Sequence, residues 1–189
     1  MCTLKIYNIG ALKNVELSLN KLTVLLGPQS SGKSTLTRVL CHCQWIEKRC
    51  YVNFEEESKR FIQDSKFIDG IKEYYRMEGY FREDSQIHYE GNYIILAYRG
   101  QKLSITKVFP QSPYLYPKLC YIPAERNMVA LSELNGFEFK GTSLRSFLFD
   151  WWSARECYTP SNKTELLDLG VKYYYDKEQI FFHLNIFLA

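Results

Sequence analysis

Residues 27–34 read Gly27-Pro28-Gln29-Ser30-Ser31-Gly32-Lys33-Ser34, two glycines with four residues between them, followed by a lysine and a serine. That spacing is the phosphate-binding loop, G-x-x-x-x-G-K-[ST]. Gly27 and Gly32 allow backbone angles that a side chain forbids, so the chain can curl until successive amide groups converge on an anion. Lys33 adds a positive charge toward the β- and γ-phosphates of a nucleotide, and the Ser34 hydroxyl is suited to hold Mg²⁺. With Thr35, which follows at the start of a helix, these residues form a candidate cradle for ATP and Mg²⁺.

Such a loop works only as the turn between a buried strand and a helix. Before it stands the apolar run Leu22-Thr23-Val24-Leu25-Leu26. Without interruption by polar residues, that run predicts a strand buried on both faces, as in a parallel core sheet. After the loop, residues 33–48 read as a helix, with Leu36, Val39, Leu40 and Cys43 spaced for one buried face. The helix start offers unpaired N–H groups and the positive end of its dipole to the same phosphates. A Gly/Ser-rich turn that fits by chance is the alternative, and the two flanks weigh against it.

The remaining chain is organised around this unit. Thr3-Leu4-Lys5-Ile6-Tyr7 and Val15-Glu16-Leu17-Ser18-Leu19 alternate in polarity with a turn between them, which predicts a β meander covered on one face. Residues 54–75 predict a charged helical stretch in which Phe61, Ile62, Ile68 and Ile71 dock on the sheet. The run Glu55-Glu56-Glu57-Ser58-Lys59-Arg60 within it reads as a solvated face with local ion pairs. Strands are expected over 86–90, 93–98 and 102–108, joined by turns at Gly91-Asn92 and Gly100-Gln101. A Pro-rich connection leads to a short strand over 118–122. Residues 143–155 then read as a helix with Leu144, Phe147, Leu148, Trp151 and Trp152 as an apolar stripe, and 171–175 with 179–184 as a final hairpin. The expected layout is one partial domain: residues 1–50 as meander, loop and helix, 51–117 as an insert, and 118–189 as core strand, lid helix and hairpin.

Bulk properties narrow the classes. At 189 residues and 46% apolar, the chain can bury a core, and its net charge of +3 carries no run of basic residues that would mark a nucleic-acid patch. No signal peptide and no apolar stretch of about 18 residues is present, so the expectation is a cytoplasmic protein without a membrane partner. The six cysteines, Cys2, Cys41, Cys43, Cys50, Cys120 and Cys157, then read as free thiols. Cys41-His42-Cys43 has poor zinc geometry, because neighbouring helical positions point in different directions.

The string from Leu4 to Leu17 followed by Leu22-Thr23-Val24-Leu25-Leu26 and the loop resembles the ATPase head of the ABC-type superfamily in its non-transporter branch. That branch holds the RecF, OLD and SMC proteins and many bacterial AAA-family ATP-binding proteins of DNA repair and phage defence. The likeness covers about the first 40 residues. It implies an α/β P-loop NTPase fold of ABC-ATPase-head type, in which an N-terminal antiparallel meander leads into a core sheet with flanking helices, here incomplete. It also implies ATP sandwiched between two heads as a homodimer in the intact protein, with nucleic acid as a partner of the parent system. A second patch, Tyr121-Ile122-Pro123-Ala124-Glu125-Arg126-Asn127, looks like the strand, proline and acidic-Arg element of OLD-like ATPases, which would bring Glu125 or Arg126 to the nucleotide. A strand-end turn closed by a capping ion pair explains those residues equally well, and both readings stay open.

Two elements of such heads are missing. A Walker B strand ends in Asp-Glu to hold Mg²⁺ and activate water, and a signature helix carries Ser-Gly-Gly. The chain has no Gly-Gly pair, and Phe147-Leu148-Phe149-Asp150 is followed by Trp151 and sits in a helical pattern. The sequence therefore reads as the N-terminal part of a longer ATPase. No catalytic residue is assigned, and the expectation is weak ATP binding with negligible hydrolysis. Two other readings remain: a small P-loop phosphotransferase, for which Arg126, Arg145 and Arg155 are the lid arginines, and an interaction module with a vestigial loop.

Overall fold

The computed structural model describes residues 2–20, 22–63, 66–109, 119–122, 146–150, 173–176 and 179–182. The chain separates into two compact units, Met1–Tyr121 and Ile122–Phe187. In the first, β1 (Cys2–Ile9) and β2 (Leu12–Leu19) form the expected meander. Helices α1 (Lys33–Val52), α2 (Phe54–Gln63) and α3 (Lys66–Tyr75) follow, and then strands β3 (Phe81–Glu90), β4 (Ile94–Arg99) and β5 (Lys102–Lys107). The five strands make one sheet in the order β2-β1-β3-β4-β5, antiparallel throughout.

Alternation makes one face of this sheet apolar. In β1, Leu4 and Ile6 are buried while Lys5 and Tyr7 are exposed, and the register sets Leu4 opposite Tyr89 and Ile6 opposite Ile87. On β4, Ile94, Leu96 and Tyr98 continue the buried face. The same core takes Val39, Leu40, Cys43, Ile46 and Cys50 from α1, Phe61 from α2, and Phe67, Ile71 and Tyr75 from α3. The β4–β5 turn consists of Gly100 (φ 57°) and Gln101 (φ 61°). Two left-handed residues in succession match the strand twist, as in a type I′ hairpin.

Several expectations need correction. The parallel core sheet is not what the described residues form, because every strand pair is antiparallel. Residues 22–26 belong to no strand, and Leu22, Val24 and Leu26 are 72%, 68% and 90% exposed. A strand becomes buried on both faces only with ladder neighbours on its edges, and no described strand pairs with this run. Residues 119–122 form no strand either. Tyr121 instead accepts a hydrogen bond at its hydroxyl from Arg38 Nε at 3.1 Å and meets the Tyr75 ring edge-on.

The expected stretch 54–75 holds two helices, with Phe61 and Ile71 docked, Ile68 half-buried and Ile62 exposed. The charged run is only partly solvated. Glu57 and Ser58 are buried, and Glu57 pairs with Arg49 of α1.

In the second unit, residues 146–150 are helical with Leu148 buried and Phe149 exposed, so Phe147-Leu148-Phe149-Asp150 is not a Walker B strand. Strands β6 (Tyr173–Asp176) and β7 (Gln179–Phe182) pair as the expected hairpin, Tyr173 opposite Phe182. Leu144, Arg145, Trp151, Trp152 and Arg155 lie outside the described residues. Among the described residues no helix is long and apolar enough to cross a membrane.

Candidate phosphate-binding site

Two left-handed residues shape the loop, Ser30 at φ 61° and Gly32 at φ 94°. Such residues turn neighbouring amides to one side and build a concavity that suits an anion. Gly32 is also the N-cap of α1. It provides no side-chain cap, and the first turn of the helix carries no acidic residue. The first amides of an α-helix have no acceptor within it, and here the first rung runs from Leu36 N–H to Gly32 O at 2.9 Å. The amides of Lys33, Ser34 and Thr35 are therefore left without an intrahelical partner at the positive end of a 20-residue helix.

The meander seats this arrangement. A Cβ on Gly32 would stand 2.5 Å from Leu12 Cδ2 and 3.0 Å from Leu12 Cγ. The end of the loop thus rests on the first residue of β2, at a backbone angle that side chains avoid. On the other side, a Cβ on Gly27 would lie 3.2 Å from Ser31 Oγ.

Lys33 closes the loop on itself. Its ammonium donates to Gly27 O at 2.8 Å, Pro28 O at 2.5 Å and Ser31 Oγ at 3.3 Å. The cation is held over the loop by neutral acceptors, which an anionic oxygen can replace with a stronger charge-assisted bond. Ser34 is exposed and its hydroxyl open to solvent, while Pro28, Gln29, Ser30 and Ser31 are exposed around it. Thr35 departs from expectation: its side chain is 6% exposed and belongs to the buried face of α1, so its backbone amide alone remains available.

The donor set fits Mg²⁺ in a limited way. Mg²⁺ takes near-octahedral oxygen ligands, commonly one or two carboxylates completed by phosphate oxygens and water. Among the described residues no group of three or more His, Cys, Asp or Glu side chains is placed to hold a metal ion. If Mg²⁺ were bound here, Ser34 Oγ would be the ligand this loop offers, with phosphate oxygens and water needed for the rest. Glu125 and Arg126 lie outside the described residues.

Beyond the loop, α1 carries two buried polar side chains. Glu47 is 4% exposed and accepts hydrogen bonds from the Tyr89 hydroxyl and the Tyr93 N–H, each at 2.6 Å. A Cβ on Gly91 would fall 2.2 Å from Glu47 Oε1, so the β3–β4 connection closes directly over the carboxylate. Glu47 thereby pins the loop-bearing helix to the hairpin. The sequence reading missed it, although Cys43, Ile46, Glu47 and Cys50 fall at i, i+3, i+4 and i+7, the spacing of one helix face. His42, 3% exposed, donates Nε2–H to Phe67 O at 3.0 Å and stacks on Trp45. Burial lowers its pKa from 6.5 to about 4, and the bond to Phe67 opposes that only partly.

The thiols agree with the expectation of inert cysteines. Burial pushes Cys2 up to about 11 and Cys50 up to about 12, and raises Cys41 and Cys43 as well. Cys2, Cys41, Cys43 and Cys50 form no disulfide. Comparison with family models, with curated proteins and with solved structures finds no match to this chain.

Proposed function

We propose that this chain binds a nucleoside triphosphate, ATP with Mg²⁺, through residues 27–35, as the nucleotide-binding lobe of an ATPase head of the RecF, OLD and SMC kind. One observation carries the reading: Lys33 spans a left-handed loop at the start of an uncapped helix, and among the described residues its ammonium is held by Gly27 O, Pro28 O and Ser31 Oγ, none of them charged. On binding, Lys33 exchanges those acceptors for β- and γ-phosphate oxygens. The unpaired amides of α1 and the curled loop supply the remaining donors, and Ser34 turns its hydroxyl to the metal. Bound Mg²⁺ supplies charge neutralisation between the phosphates. The hydrogen-bond partners of Lys33 include no carboxylate or imidazole, and the chain carries no recognisable Walker B strand, so the proposal is binding with negligible hydrolysis by this chain alone. Dimerisation of heads and a role in DNA repair or phage defence belong to the same proposal and rest on the resemblance of the first 40 residues.

A second reading, an interaction module with a vestigial loop, is favoured by the exposed, unladdered run 22–26 that should anchor the loop. Titration of the full chain with a fluorescent ATP analogue, with and without Mg²⁺, separates the two. The nucleotide reading expects saturable binding, strengthened by Mg²⁺, that Lys33→Ala weakens by roughly tenfold to a hundredfold, the loss of one or two charge-assisted bonds. Absence of saturation at millimolar nucleotide would establish the vestigial reading instead.

A further inference from the structure

Away from the loop, a groove of about 430 Å³ opens between α2, α3 and the β3–β5 side of the sheet. Its size lies in the range of small-ligand sites, roughly 300–1,000 Å³. It shares no residue with the phosphate loop. Phe61, Phe67, Phe81 and Tyr98 supply aromatic lining. Tyr98 is wedged between two of them, its ring 5.6 Å from Phe67 and 6.2 Å from Phe81, and the residue is only 5% exposed.

The Tyr98 hydroxyl makes no hydrogen bond to a described residue and is not closed off from solvent, so it opens on the groove. Burial raises its pKa, so it stands there as a neutral donor. A tyrosine with a packed ring and a solvent-facing hydroxyl offers a ligand an apolar wall and a polar tip. The rim adds a second observation. Helix α3 contributes Asp69 and Lys72, and β3 contributes Arg82 and Glu83. Asp69 and Lys72 are spaced i, i+3, a separation at which opposite charges commonly pair. None of the four forms an ion pair with a described residue. An aromatic floor with one open hydroxyl thus lies beneath two uncommitted anions and two uncommitted cations.

We infer that this groove is a binding site for a small aromatic zwitterion, of the size and charge pattern of an aromatic α-amino acid. The ring lies against Phe61, Phe67 and Phe81. The ligand's carboxylate accepts from Tyr98 and faces Lys72 and Arg82, and its ammonium faces Asp69 and Glu83. A ligand of a single charge sign would leave two like charges facing it, and an uncharged ring would engage none of the four charged side chains. Zwitterionic chemistry satisfies all five groups together.

Calorimetric titration of the full chain with L-tryptophan, tryptamine, indole-3-propionate and indole tests this. The expected result is saturable binding of L-tryptophan, at least about tenfold tighter than either singly charged analogue, with indole weakest. Tyr98→Phe keeps the ring and removes one hydrogen bond, and should weaken tryptophan about tenfold. The paired changes Lys72→Gln, at a half-buried position, and Arg82→Gln, at an exposed one, should weaken tryptophan and indole-3-propionate while sparing tryptamine. ATP-analogue binding at the loop should be unchanged in all of them, which keeps this site's outcome separate from the loop's. No saturable heat from any probe, indole binding as tightly as tryptophan, or unaltered affinity in both the Tyr98 and the Lys72/Arg82 variants would overturn the assignment.

Discussion

His42 makes this protein's stability depend on mildly acidic pH, and the size of the effect follows from its surroundings. The imidazole is 3% exposed, enclosed by Trp45, Phe67 and Tyr75, and donates its Nε2 proton to Phe67 O. Burial lowers its pKa from 6.5 in the free residue to about 4 in the fold. Between those values the unfolded chain binds a proton that the folded chain refuses, so stability falls as pH falls. The contribution is whole above pH 6.5, declines below it and is gone once the pH passes about 4. At about 1.4 kcal/mol per pH unit this amounts to about 3 kcal/mol, with no discount for solvent screening because the group is buried. Urea unfolding of the wild type and of His42→Gln, followed by tryptophan fluorescence at pH 7.5, 5.5 and 4.5, isolates the term. Glutamine can still donate to Phe67 O but does not titrate, and the carboxylates common to both proteins cancel in the difference. The wild type should lose about 2–3 kcal/mol more than the variant over that span, the remainder going below pH 4.5. A stability difference that stays constant with pH would refute the reasoning, as would a His42 ring resonance titrating near 6.5 in the folded protein.

Three further outcomes are expected besides the Lys33 effect. Gly32→Ala places a methyl group against Leu12 at a left-handed backbone angle. Thermal unfolding should show about 1–3 kcal/mol of destabilisation, and nucleotide binding should be lost with it. Glu47→Ala strands the Tyr89 hydroxyl and the Tyr93 N–H inside the core. Chemical denaturation should register about 2–4 kcal/mol, with a smaller loss for Glu47→Gln, which keeps an acceptor. The buried, high-pKa thiols of Cys43 and Cys50 should resist a thiol-reactive disulfide reagent at pH 8 in the native protein and react at once in urea; rapid native labelling of both would contradict their burial.

The meander, the loop and the amphipathic face of α1 were legible because each is encoded by spacing within a few residues. Alternation over 3–7 and 15–19 marked β1 and β2, the Gly-Gln dipeptide at 100–101 marked a hairpin turn, and the 27–34 motif states its own chemistry. Run 22–26 shows where local pattern stops being sufficient. Its composition suits a core strand, but a ladder needs partner strands, and the described sheet closes from β2 to β5 without it. Thr35 was grouped with the cradle by its position, whereas the 3.6-residue period of α1 turns its side chain inward. Glu47, His42 and Glu57 look like ordinary charged or polar residues in the chain. Only the packing of β3, α3 and α1 around them makes each buried and gives it partners. The sequence by itself determined the meander, the glycine-bounded turn over 27–34 and the helix that follows it, since those depend on backbone freedom and side-chain period. Tertiary structure alone decided which polar groups leave water, because that depends on residues distant in the chain closing over them.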